Sequence, residues 1–231
     1  MMLVAAGASV KGPAHEQDGS PNQDAVSVHG CGRGRFIAVA DGLGSRCLSH
    51  IGSRRAVELA RELMLDRSNP VCSADAPVRL SQRWREAFFG GYNDYETTCL
   101  WAWVDGRGQG LVGQAGDGLA LIRSQGRFRI LTAQKDGFGN QTTTLAQADV
   151  KGAASSDVML SLPGDGVLLM TDGISDDLIP EQLEPFFNAI YRRQQRSNKR
   201  RMRRWLESEL QQWSTPRHGD DKTIASIFRM D

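Results

Sequence analysis

The sequence predicts an α+β fold built on antiparallel sheet. Three observations lead there. Short apolar runs rich in β-branched residues come in clusters joined by tight Gly turns, helix-period stretches form clusters of their own, and 231 residues with 40% hydrophobic content can bury a sizeable core without disulfides. No internal repeat, low-complexity segment or linker interrupts the chain, so a single domain over residues 1–231 is expected.

Taken in order, the opening Met1 to Val10 is mildly apolar. It lacks a basic front and breaks at Lys11-Gly12-Pro13, too short for a signal core with flanks or for a membrane span. Phe36 to Ala40 is a continuous apolar run and reads as a strand. From Ser49 to Leu65, the residues Ile51, Ala56, Leu59, Ala60 and Leu63 make a helix-period stripe that ends before Asn69-Pro70. Asp66 to Pro77 reads as a loop, and Trp84, Phe88 and Phe89 suggest a short helix over Ser81 to Phe89. Cys99 to Val104, Gly110 to Ala115 and Leu119 to Arg123 then read as strands. Val167 to Thr171 is a further strand. Glu181 to Trp213 carries apolar and aromatic residues on both sides of a basic stretch, which predicts two helices or one broken helix, and Thr223 to Phe228 reads as a closing strand.

With 28 Lys and Arg against 27 Asp and Glu, the formal charge of +1 argues against a protein whose main business is coating nucleic acid. Cys31, Cys47, Cys72 and Cys99 are widely spaced, without a Cys-x-x-Cys pair or a His at zinc-finger distance. Neither a zinc site nor a disulfide framework is indicated, and a reducing cytoplasm is the expected compartment. No stretch approaches ~18 consecutive apolar residues, so no membrane span is expected.

Chemistry is suggested where strands stop at Asp-Gly. Phe36 to Ala40 delivers Asp41-Gly42, Leu111 to Gly116 delivers Asp117-Gly118, and Val167 to Thr171 delivers Asp172-Gly173. A carboxylate at a strand end, followed by a Gly that lets backbone carbonyls come close, is a usual way to present oxygen ligands. Several such carboxylates converging would repel unless a hard cation sat among them. The dipeptide is also the preferred hairpin turn, and it occurs seven times, at Asp18, Asp41, Asp105, Asp117, Asp136, Asp165 and Asp172. Asp105-Gly106 and Asp165-Gly166 are assigned to turns. Asp41 and Asp172 differ because a helix-forming or capping stretch follows each of them instead of a returning strand.

At this point the chain resembles the metal-dependent protein phosphatase 2C family of Ser/Thr phosphatases. The likeness follows the family's motif order across nearly the whole chain: Asn22-Gln23-Asp24-Ala25, Val39 to Gly44, Thr97-Thr98, Gly116-Asp117-Gly118, Thr171 to Asp176, and Gly219-Asp220-Asp221-Lys222-Thr223. Gly-Asn-Gln-Thr-Thr-Thr, with Asn140 to Thr144, is similar to the bacterial subgroup. The resemblance implies a four-layer α-β-β-α sandwich, two antiparallel sheets flanked by helices, with two divalent ions, Mn²⁺ or Mg²⁺, in a cleft at one end. By position, Asp41 would bridge both ions, the Gly42 carbonyl would hold the second, and Asp172 and Asp220 would complete the first. Asp24 would act mainly through metal-bound water, and Asp117 matches a position that helps hold a third, looser ion in bacterial members. Asp221 stands where the family usually has Asn, so Asp220 is taken as the ligand. The implied reaction is attack of a metal-bridging hydroxide on a phosphoserine or phosphothreonine ester, with the ions neutralising the phosphoryl oxygens.

Two departures stand out. Gly19 occupies the position where the family often has a phosphate-binding Arg, and Leu43 follows Asp41-Gly42 where some eukaryotic members have a His serving as general acid. His15 and His50 are the candidates for protonating the leaving oxygen, since each lies close in sequence to a metal motif. The missing Arg and His support a second reading, a phosphatase-like binding or sensor module of low activity. Retention of every metal Asp argues against it. The expected partners are a phosphorylated protein and a bacterial Ser/Thr kinase or its targets, with no nucleic acid and no membrane. The basic run Arg192 to Arg204 reads as a solvated helix face or inter-helix loop, because aromatics flank it and do not interleave with it.

Overall fold

The computed structural model describes residues 2–32, 34–89, 91–131, 143–148, 153–213 and 219–231. The chain begins with strand β1 (Met2–Val10), the short helix α1 (Pro13–Asp18), and the hairpin of β2 (Ala25–Cys31) and β3 (Gly34–Ala40). Helices α2 (Ser49–Leu65) and α3 (Ala76–Glu86) follow, then β4 (Cys99–Val104), β5 (Gln109–Ala115), β6 (Leu119–Ser124) and β7 (Arg127–Leu131). After β8 (Ala153–Met159) and β9 (Gly166–Met170) come the single turn α4 (Asp172–Ser175), helices α5 (Leu183–Gln195) and α6 (Lys199–Gln211), and β10 (Lys222–Met230).

Two five-stranded sheets result, one in the order β1-β10-β9-β6-β7 and the other β2-β3-β4-β5-β8. Every pairing is antiparallel. The pleat sorts side chains into three interfaces. Phe36, Ala38 and Ala40 of β3 face α2 and α3, packing with Leu59, Leu63, Leu80 and Trp84. The alternate residues Ile37 and Val39 face the other sheet and meet Val167, Leu169, Ala225 and Ile227 between the layers. On the far side Leu168, Met170, Ile224 and Phe228 pack under α5 and α6, against Phe187, Ile190, Met202 and Leu206. Three apolar interfaces separate four layers, helix, sheet, sheet and helix, which is the α-β-β-α sandwich.

The strands read from the sequence are β3, β4, β5, β6, β9 and β10, the interior strands of both sheets. The four that were not read, β1, β2, β7 and β8, are the four edges. Interior strands of such a sandwich are buried on both faces and become unbroken apolar runs, whereas the edge strands β2, β7 and β8 are half exposed and carry polar residues. Thus β8, Ala-Ala-Ser-Ser-Asp-Val-Met, has only Val158 fully buried, and β7 alternates Arg127, Phe128 and Arg129. Strand β1 departs from this, being largely apolar with five of its nine residues buried. Smaller corrections concern helices. The helix expected over Ser81 to Phe89 lies over Ala76–Glu86, because Pro77 occupies the first turn, where its missing N–H costs nothing. The loop read over Asp66 to Pro77 therefore stops short of Ala76. The stretch from Glu181 resolves into α5 and α6, broken at Arg196 to Asn198, with the Asn198 side chain accepting from the Arg201 N–H at the start of α6. Among the described residues no helix is long and apolar enough to cross a membrane.

Candidate metal centre

Antiparallel order decides which strand ends meet. Strands β3, β5 and β9 run toward the same end of the sandwich, so Asp41, Asp117 and Asp172, each just beyond its strand, come together there, and Asp220 joins them just before β10 begins. Asp117 lies on the connection by which the chain crosses from one sheet to the other between β5 and β6. Its neighbours Gly116 and Gly118 have φ of 100° and 89°, a conformation side chains rarely adopt, and a Cβ on Gly118 would lie 2.7 Å from the Met170 carbonyl oxygen. Asp105-Gly106 and Asp165-Gly166 instead turn the chain, between β4 and β5 and ahead of β9. Asp136 and the Asn140 to Thr142 part of the Thr-rich motif lie outside the described residues.

A threonine framework holds the strand ends. The Asp41 N–H donates to Thr98 Oγ1 at 3.1 Å, and Thr97 Oγ1 donates to the Asp41 carbonyl at 2.7 Å. Thr171 Oγ1 donates to Asp24 Oδ2 at 2.8 Å while accepting the Thr223 N–H at 3.1 Å, tying β2, β9 and β10 together. The cleft between them, of about 480 Å³, is walled by Asp41, Gly42, Asp117, Asp172, Asp220 and His15, with Leu43, Gly44 and Thr98. No Arg or Lys lines it among the described residues.

Carboxylate oxygens of Asp41, Asp117 and Asp172 lie within 4.8 Å of one another. Burial, reinforced by the charges of Asp24, Asp172, Asp220 and Asp117, pushes the Asp41 carboxyl well above the usual carboxylate range. Burial likewise raises Asp172 to about 6, with Asp117 and Asp220 adding repulsion. Asp24 lies behind the cleft wall, and burial pushes it up to about 8 against the hydroxyls of Thr223 and Thr171, which favour its ionised form. Asp172 Oδ1 is buried without a hydrogen-bond partner. Mutually repelling carboxylates with an unsatisfied buried oxygen are a donor set that fits hard divalent cations, which take oxygen ligands.

Asp221 behaves differently from Asp220. Its side chain is buried, and its two oxygens accept the Gly12 N–H at 2.7 Å and the Gln23 N–H at 2.6 Å, clipping residues far apart in sequence. His15 Nδ1 lies 3.0 Å from Asp221 Oδ2 on the wall of the cleft. His50 is not brought there. It is the second residue of α2 and half-buried, and it is not among the residues that wall the cleft, so position separates the two histidines. Gly19 ends α1 in the left-handed conformation with φ of 78° and is exposed.

Two positioning residues escaped the sequence reading. Gln114 donates through Nε2 to the carbonyls of Gly116 and Gly118 at 3.0 and 3.2 Å, gripping both sides of Asp117. Lys222, fully buried, donates through Nζ to the Asp220 carbonyl at 2.9 Å. The signal for both was a polar residue placed in or beside an apolar strand, where it must find a partner.

The family model described as Protein phosphatase 2C matches residues 11–211. The chain belongs to the protein phosphatase 2C family. Among solved structures it is similar to the catalytic domain of the serine/threonine protein phosphatase PstP in complex with two manganese ions, at 18% identity over 99% of each chain with a TM-score of 0.69. PppA of Pseudomonas aeruginosa, described as a key regulatory component of T6SS, matches at 18% identity over 99% of this chain and 98% of that one, with a TM-score of 0.66. RsbX in complex with magnesium matches at 15% identity over 98% and 94% of the two chains, with a TM-score of 0.60. At these identities the likenesses establish that the chain has the protein phosphatase 2C fold. No match was found among curated proteins.

Proposed function

We propose that the chain is a Mn²⁺- or Mg²⁺-dependent phosphatase that hydrolyses phosphoserine and phosphothreonine esters of proteins. It acts as one catalytic domain over residues 1–231, in the cytoplasm, opposing a Ser/Thr kinase. The observation that carries this reading is the convergence of Asp41, Asp117 and Asp172 within 4.8 Å in a cleft that also holds Asp220. Asp41 would hold both cations, the Gly42 carbonyl the second, and Asp172 and Asp220 the first, with Asp117 on a third. Asp24, held by the Thr171 hydroxyl behind the cleft wall, would act mainly through water bound to the cations. When bound, the cations supply an activated water and neutralise the phosphoryl oxygens. Family membership and the two relatives solved with manganese or magnesium support the metal class.

His15 is assigned the proton for the leaving alkoxide. Its Nδ1 lies 3.0 Å from Asp221 Oδ2, near enough for that carboxylate to pair with the imidazolium, and the ring stands on the cleft wall. An aryl phosphate leaves without that help, whereas a serine or threonine alkoxide does not. His15→Ala should therefore depress turnover of a phosphothreonine peptide by about a hundredfold and leave p-nitrophenyl phosphate hydrolysis nearly unchanged; equal losses on both would remove His15 from this role.

The test of the whole reading is hydrolysis of an aryl phosphate and a phosphothreonine peptide with Mn²⁺, Mg²⁺ or EDTA, for the wild type beside Asp41→Asn and Asp172→Asn. Cation-dependent turnover that both substitutions abolish is the expected result. Mn²⁺ binding without any turnover would instead mark a binding or sensor module.

A further inference from the structure

The basic run Arg192 to Arg204 is the strongest feature that the cleft does not use. It forms the last turn of α5, the connection over 196–198 and the first half of α6. Eight of the chain's 28 Lys and Arg residues lie in it with no acidic residue among them, leaving 20 against 27 Asp and Glu elsewhere. All eight are exposed. The molecule is therefore a weakly charged whole made of one strongly basic face and an acidic remainder.

A face kept only for solubility would place its charges where the helices tolerate them. Arg192 and Arg193 satisfy that condition, since cations at the end of α5 favour its dipole. Lys199, Arg200 and Arg201 do not, because they occupy the first turn of α6 with no acidic residue beside them there, against the dipole. Asn198 already caps that helix, so the face works through side-chain charge and not through the helix end. Among the described residues Arg203 alone of the eight has an ion pair, with Glu207 at 2.8 Å.

The chemistry of the face narrows its partner. Arg193 lies 5.0 Å from the centre of the Trp205 ring, covering the aromatic that a nucleic-acid base would need for stacking. A long polyanion would also run onto the acidic remainder. On α6 Met202, Leu206 and Leu210 are buried and the half-buried Trp205 lies under Arg193, so no apolar stripe faces outward to enter a lipid surface. A short acidic stretch of polypeptide meets neither objection.

The location fits docking and not catalysis. Tyr191, in the last turns of α5, packs on Phe228 and beside Gly164, in the turn that precedes β9. Asp172 follows the other end of that strand, whose five residues put roughly 17 Å between the two ends. We propose that this face docks an acidic tract of the phosphoprotein substrate while the phosphorylated residue lies in the cleft. The inference rests on the phosphatase reading, and it adds a substrate class: phosphoproteins with an acidic segment roughly 17 Å or more from the modified residue.

The experiment uses two phosphothreonine peptides joined by a flexible linker to a tract of eight residues, all Glu in one and all Gln in the other. The protein is the full chain with Mn²⁺, as wild type and as Arg200→Gln/Arg201→Gln/Arg203→Gln/Arg204→Gln. The wild type should prefer the Glu peptide by about tenfold in kcat/KM, through KM, as several exposed ion pairs acting together provide, and the preference should fade with salt. The substituted protein should lose that preference and keep p-nitrophenyl phosphate turnover, and the matching set of Lys substitutions should retain it. Equal use of both peptides by the wild type at low salt, or tighter binding of a duplex oligonucleotide or an anionic phosphatidylserine vesicle than of the Glu tract, would overturn the proposal. If no peptide is turned over at all, the phosphatase reading fails, and fluorescence anisotropy of the labelled Glu tract, bound by the wild type and not by the Gln variant, still decides the docking face.

Discussion

Strand β9 begins and ends beside an aspartate, and the two have opposite surroundings. At its start, Asp165 accepts the backbone N–H groups of Gln125, Gly126, Ser161 and Leu162 at 2.9 to 3.0 Å, so the carboxylate replaces missing ladder partners and locks a turn. At its other end, Asp172 faces Asp41 and Asp117, has one buried oxygen with no partner, and is pushed up to about 6 by burial. Both precede a glycine and both are largely removed from water. What separates a structural carboxylate from a ligand is what the rest of the fold offers it. One is saturated with donors, and the other is surrounded by like charge and left for a cation to complete.

The comparison breaks most clearly by exchanging the fates of the two residues. Asp41→Asn should cut divalent-dependent phosphoester hydrolysis by about three orders of magnitude or more and raise the melting temperature of the cation-free protein, since one desolvated, repelling carboxylate is gone. Asp165→Ala should do the reverse, leaving the N–H groups of Gly126, Ser161 and Leu162 unpaired at a cost of about 3 kcal/mol, with Gln125 keeping its bond to the Met159 carbonyl, while kcat per folded molecule stays at the wild-type value. Chemical denaturation beside initial rates separates these outcomes; a stability loss at Asp41 equal to that at Asp165 would erase the distinction.

Titration sharpens the same contrast. The carboxyls of Asp24, Asp41 and Asp172 have folded-state pKa values raised above the ordinary 3.8, to about 8 for Asp24 and about 6 for Asp172. Their contribution to stability is thus fully present below about pH 4 and is lost as pH climbs through 6 toward 8. Without divalent cations the melting temperature should fall across that window, and the gain on adding Mn²⁺ should grow across it. A gain independent of pH between 5 and 8 would mean the cation binds elsewhere. The smallest effect is expected one layer out: Gln114→Ala frees the carbonyls of Gly116 and Gly118 and should weaken Mn²⁺ binding about tenfold, measured by calorimetry, with the fold intact.

How far the sequence could be read depends on how many faces a residue buries. Phe36 to Ala40 and Val167 to Met170 are apolar at every position because both sides of these strands are covered, so no knowledge of the partner strand is needed to recognise them. In β2, Val26, Ser27 and Val28 are half-buried and look like any polar loop until β3 is laid beside them. The site followed the same logic. Asp41 and Asp172 stood out because each follows an apolar run and precedes a helix-forming or capping stretch, whereas the grip of Asp221 on residues 12 and 23 depends on contacts that only tertiary structure creates. That of Gln114 on Gly116 and Gly118, though local, depends on a left-handed turn with no signal beyond its glycines. The separation of His15 from His50 had no local signal at all.

The clip formed by Asp221 also bears on how the molecule is made. Its carboxylate joins Gly12 and Gln23 across 209 and 198 residues of chain, and β10 is the strand that binds β1 into its sheet. A nascent polypeptide that has left the ribosome only as far as residue 213 has its two helical layers and most of both sheets available, yet no Asp220, no clip and no partner for β1. Long-range closure of this kind is slow. During synthesis the acidic cleft is thus completed only after β10 has emerged and joined β1 and β9.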